Sequence, residues 1–80
     1  MIKVEVRVFA TLRQYMPGLG IGEPKIVEVS EGTTFAGLRD MLELPAKEVK
    51  IVMCNNVQAD FDALVKDGDR ITYIPAVAGG

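Results

Sequence analysis

Eighty residues are enough for one small domain, and the composition, 49% hydrophobic and 25% charged, is ordinary for a globular chain. Nine basic against eleven acidic side chains leave a net charge of -2, so there is no basic footprint for a nucleic-acid partner. Histidine is absent, which removes the commonest general base and metal ligand; the one cysteine, Cys54, forbids an internal disulfide and suits a reducing compartment.

From the N-terminus, Ile2, Val4, Val6 and Val8 alternate with Lys3, Glu5, Arg7 and Phe9, a period of two that predicts a strand with one buried face. Phe9 is the exception on its face, an aromatic among charges. Met1–Val6 opens directly as a strand, without the apolar core of a signal peptide, and no apolar run is long enough to span a bilayer. These features predict a cytoplasmic protein with no membrane partner. Residues 10–16 predict a short helix with Leu12, Tyr15 and Met16 at turning positions, stopped by Pro17-Gly18. The glycines of Gly18-Leu19-Gly20-Ile21-Gly22 belong to a loop; no lysine-serine pair follows them to cradle a phosphate.

Lys25 to Val29 predicts a second strand, and Thr33 or Thr34 caps a helix over Phe35 to Leu44, ended by Pro45. Phe35, Leu38, Met41 and Leu42 form its apolar stripe, spaced for packing against a sheet. Val49 to Cys54 is a third strand, and Asn55-Asn56 turns it into a short return strand over Val57–Ala59. Asp60 to Val65 predicts a helical turn, Lys66-Asp67-Gly68-Asp69 a tight turn, and Arg70 to Ile74 the closing strand. One mixed sheet with its helix across one face buries every apolar side.

Beyond Ile74 come Pro75-Ala76-Val77-Ala78-Gly79-Gly80. Two terminal glycines carry no side chain to block a narrow channel, so an enzyme can reach the carboxylate of Gly80. Were the first and last strands parallel neighbours, Phe9 and Ile74 would form an apolar patch at the root of this tail, with Arg13 nearby.

Val8-Phe9-Ala10-Thr11-Leu12-Arg13, Glu31-Gly32-Thr33, Leu64-Val65-Lys66-Asp67-Gly68-Asp69-Arg70 and the run from Ile74 to Gly80 stand in an order that resembles a β-grasp protein. More narrowly, the chain resembles the small subunit of molybdopterin synthase, within the sulfur carriers. The resemblance spans essentially all eighty residues and implies one α+β, ubiquitin-like domain over 1–80. Its sheet would have four or five strands, one main helix across one face, and residues 75–80 as a flexible reactive tail. It implies a chain with no bound cofactor and no catalysis of its own. An adenylating, E1-like partner would use ATP to form a glycyl-adenylate at Gly80, and a sulfur donor would convert this to a thiocarboxylate (1-thioglycine). The large synthase subunit would then accept the tail and build the dithiolene that holds molybdenum or tungsten. Phe9, Arg13 and Ile74 match docking positions of that family, with Pro75, Ala76, Val77, Ala78 and Gly79 entering the partner. The ending Ala76–Gly80 also resembles thiamine-pathway carriers, and a ubiquitin-like modifier joined to a lysine through Gly80 uses the same adenylation. A third reading, of another class, is an interaction module in which Gly79-Gly80 is incidental.

Cys54 and the carboxylates Asp60, Asp62, Asp67 and Asp69 invite other readings. A lone cysteine ending an apolar strand, without a basic neighbour, reads as a small buried hydrophobe. The aspartates lack the closing glutamate of a calcium loop and read as turn formers. Lys25, Lys47, Lys50 and Lys66 read as solvated surface.

Overall fold

The computed structural model describes residues 1–16 and 23–75; the glycine loop over 18–22 and the tail from Ala76 to Gly80 lie outside the described residues. The elements follow the expected order. Strand β1 (Ile2–Val8) is followed by a 3-10 helix (Ala10–Tyr15), β2 (Lys25–Val29), helix α1 (Phe35–Met41), β3 (Val49–Cys54), β4 (Val57–Ala59) and β5 (Arg70–Pro75). The five strands form one sheet in the order β2-β1-β5-β3-β4. The central pair, β1 and β5, is parallel and every other neighbouring pair antiparallel, so the first and last strands do lie side by side. A parallel pair needs a long crossover, and here the whole middle of the chain supplies it.

Alternation decides which face is covered. Ile2, Val4, Val6 and Val8 point into the core with Val27 and Val29 of β2, Val52 of β3, and Ile71 and Tyr73 of β5. Phe35 and Leu38 of α1 close over them. Leu12 and Met16 bury the 3-10 helix against the same core, with Tyr15 half-buried beside them. The Tyr73 hydroxyl crosses the core and donates to the Phe35 carbonyl at 2.7 Å, so the one polar atom of that side chain is satisfied.

Thr34 caps α1: its Oγ1 accepts from the Gly37 N–H at 3.0 Å. The helix is shorter than its apolar stripe suggests, ending at Met41 instead of Leu44, so Pro45 is not what stops it. Glu43 takes a left-handed conformation (φ 61), the Glu43 N–H bonds to the Asp40 carbonyl, and the Leu44 N–H reaches back to that of Arg39. This is a Schellman stop, with glutamate where glycine is usual. Leu44 still reaches the core, whereas Met41, expected on the stripe, is 52% exposed. The helical turn expected over Asp60–Val65 reduces to one hydrogen bond, from the Ala63 N–H to the Asp60 carbonyl. The segment instead runs along the start of α1, where the carbonyls of Phe61 and Ala63 accept from the N–H groups of Ala36 and Phe35. A helix leaves its first N–H groups unpartnered, and this strap satisfies two of them. Arg39 fastens it by placing its guanidinium 5.4 Å from the Phe61 ring centroid.

Candidate functional site

The site is built where β1 and β5 end together. Their register pairs Arg7 with Thr72 and Val8 with Tyr73, and the Phe9 N–H donates to the Tyr73 carbonyl at 3.3 Å. One step further along the same register sets Phe9 beside Ile74. Both stand on the open face, the one opposite α1, because Val8 and Tyr73 take the buried face. On the other flank of β5, Ile74 pairs with Ile51 of β3, giving an apolar row Phe9–Ile74–Ile51 across three strands. Phe9 is 50% exposed, and Ile74 and Ile51 are half-buried. Behind it runs a mixed row, Arg7–Thr72–Met53–Gln58, and behind that Ile26–Glu5–Arg70, where Arg70 Nε lies 3.4 Å from Glu5 Oε2. The row at the root of the tail is apolar throughout, whereas the two rows behind it mix apolar residues, Met53 and the exposed Ile26, with polar and charged ones.

The structure sets the ends of β1 and β5 side by side, so that Phe9 follows Val8 and Ile74 follows the Tyr73 paired with Val8. Arg13 sits in the 3-10 helix that begins directly after Phe9, and its side chain is exposed. Pro75, expected to open the tail, is instead the last residue of β5; it pairs with Val49 and is buried. A proline without an N–H is tolerated there because it stands at the strand's end. Ala76, Val77, Ala78, Gly79 and Gly80 lie outside the described residues. Two residues were missed: Ile51 and Met53 join the open face, and the alternation of Lys50-Ile51-Val52-Met53 carries that signal. A bulge hides it, since the register slips between Val49 and Ile51, letting both Val49 and Val52 face the core.

The far end of β5 is fixed by turn chemistry, as expected of Asp67 and Asp69. The Asp67 carboxylate accepts from the Lys3 N–H at 2.8 Å, and the N–H of Gly68 (φ 83) donates to the Lys3 carbonyl. Asp69, 8% exposed, accepts from the Lys66 N–H at 2.8 Å and from Asn55 Nδ2 at 3.2 Å. Asn55 and Asn56 both have positive φ, as a two-residue hairpin requires. Cys54 is half-buried against the core, less enclosed than expected, and its thiol pKa is pushed up to about 11 by burial and by the hydrogen bond to Asp69. A thiol so protonated is a poor nucleophile. No group of three or more His, Cys, Asp or Glu side chains gathers as metal ligands among the described residues. No helix among them is long and apolar enough to cross a membrane.

A mixed five-stranded sheet, one helix across a single face, and parallel first and last strands are the ubiquitin-like β-grasp, in the form shared by sulfur carriers. The chain belongs to the ThiS family, whose model matches residues 6–80. Among solved structures it is similar to subunit 1 in the complex of subunits 1 and 2 of molybdopterin-converting factor from Helicobacter pylori. Identity there is 27%, over 99% of this chain and 100% of that one, with a TM-score of 0.61. A Pyrococcus furiosus chain assigned as molybdopterin converting factor subunit 1 shares the fold at 22% identity, 96% and 100% coverage and TM-score 0.71. So does small archaeal modifier protein 1 of Haloferax volcanii, at 19% identity, 96% and 100% coverage and TM-score 0.73. No curated protein matches the chain in sequence.

Proposed function

We propose that this chain carries sulfur on the carboxylate of Gly80 and delivers it, in the cytoplasm, to the pterin precursor of the molybdenum or tungsten cofactor. The observation that carries this reading is the apolar row Phe9–Ile74–Ile51, set on the open face where β5 hands over to the tail. A partner seated on that row receives the tail at a fixed point and direction. The likeness to subunit 1 of a two-subunit converting factor makes a large synthase subunit the fitting acceptor of the tail. An adenylating enzyme acts first: the Gly80 carboxylate attacks the α-phosphate of ATP, pyrophosphate leaves, and a sulfur nucleophile then displaces AMP. Chemistry resides in those partners. The carrier contributes a docking surface and a tail without side chains at its last two positions.

The test is fragmentation of the C-terminal peptide after incubation with ATP, a sulfur donor and the adenylating enzyme encoded by the same genome. A sulfur-for-oxygen exchange located at Gly80 is expected. Intact mass alone misleads, because methionine oxidation adds nearly the same mass and the chain has four methionines. An unmodified carboxylate under all conditions that support pterin sulfuration overturns the reading. The likeness to a small archaeal modifier favours one alternative outcome, an isopeptide between Gly80 and a lysine of another protein. Sulfur found on a thiazole precursor in place of a pterin would assign the chain to thiamine synthesis.

A further inference from the structure

The residues around the tail root carry charge as well as apolar surface. Lys50 is the extra residue of the bulge in β3, next to Val49, which pairs with Pro75. Lys47 stands in the turn before that strand, where the N–H groups of Glu48 and Val49 both bond to the Pro45 carbonyl. Arg13 occupies the 3-10 helix after Phe9. All three are exposed, and no described carboxylate pairs with them. Glu48, the acid closest in sequence, has its Oε2 engaged by the Tyr15 hydroxyl at 2.7 Å. An acidic chain thus presents unpaired cations where its tail departs.

We propose that Lys47 and Lys50, with Arg13, form a basic collar that guides the tail into a partner whose channel mouth is lined by carboxylates. This inference rests on the carrier reading above and names the chemistry of the surface that receives it. Reach separates the collar from the reaction. Five residues beyond Pro75 span at most about 18 Å, so a fully inserted tail leaves the collar at the rim while Gly80 lies deep in the partner. Charges at a rim act mainly on encounter: they raise the association rate, and salt weakens them.

The test compares two charge reversals of equal size in the full-length chain. Lys47→Glu with Lys50→Glu alters the collar; Lys3→Glu with Lys66→Glu makes the same change at the other end of the sheet, where Lys3 pairs in register with Glu28 and Lys66 precedes Asp67. Thermal midpoints check that both fold, and Lys47→Ala with Lys50→Ala is a milder second variant. Association with the adenylating enzyme, taken as the protein that supports ATP–pyrophosphate exchange on the wild-type carrier, is timed by stopped flow. At about 0.01 M salt, where screening extends to roughly 30 Å, the collar reversal should slow association about tenfold or more. The control pair should change it less than about threefold, and the gap should close near 1 M salt, where screening falls to roughly 3 Å. Exchange at saturating carrier should be unchanged. Equal effects from the two reversals, or a loss that persists at high salt, would overturn the collar. Absence of exchange with the wild-type chain would instead strike the carrier reading itself.

Discussion

Phe9 is an aromatic left half in water at the end of β1, so its removal separates docking from stability. Phe9→Ala should change the free energy of unfolding by no more than about 1 kcal/mol, because much of the ring is already solvated. It should weaken binding to the tail-receiving partner about tenfold or more, as aromatic anchors at interfaces do. Ile51→Ala should act in the same direction, though Ile51 was not legible as a site residue. Calorimetric titration beside urea unfolding checks both; equal losses in the two measurements would make the row ordinary core. Cys54 gives the converse case. With its pKa near 11 instead of 9, it should react with a thiol reagent at pH 8 about 100-fold more slowly than an unperturbed cysteine. Asp69→Asn should recover part of that rate.

At the level of elements, most of the fold could be read because its strands announce themselves. β1 and β5 alternate without interruption, and the asparagine pair and Asp67-Gly68-Asp69 carry turn chemistry within the sequence. What escaped depends on partners far along the chain. α1 stops at Met41 because Glu43 turns left-handed, a conformation that glutamate does not advertise. Asp60–Val65 is not helical because its carbonyls serve the start of α1, a pairing invisible in local propensity. Ile51 and Met53 joined the site only once the bulge set their register. These causes are testable. Glu43→Gly should stabilise the protein by about 0.5–1 kcal/mol, since glycine adopts positive φ without steric cost. Thr34→Ala should cost about 1 kcal/mol through loss of the cap, and urea denaturation resolves both changes.

At the scale of the whole molecule, three acidic protons among the described residues are held more tightly folded than free. Cys54 is raised by burial, Tyr73 by burial, and Tyr15 by its bond to Glu48. Each group has a folded pKa above its unfolded value, so as pH rises the unfolded chain releases protons first. The stabilisation is complete well below pH 9, the ordinary thiol value at which Cys54 is half-ionised in the unfolded chain, and is lost as pH climbs through the folded values. The urea midpoint should therefore fall steadily between pH 8 and pH 11. A midpoint that rises over this range would contradict the assignment.

A carrier that hands over its tail, as proposed above, would also be pulled by it. β5 lies between β1 and β3, paired with β1 from Arg70 to Tyr73 and with β3 from Ile71 to Pro75. Tension on Gly80 runs along the strand axis, so it loads both rows of hydrogen bonds in shear at once. A strand at the sheet's edge, tugged sideways, would unzip one bond after another. In the carrier reading proposed above, an outgoing strand at the centre would let a partner grip and release the terminus while the fold stays closed. A pulling experiment should accordingly find high resistance when force joins Met1 to Gly80, because the two central parallel strands must then slide past one another together.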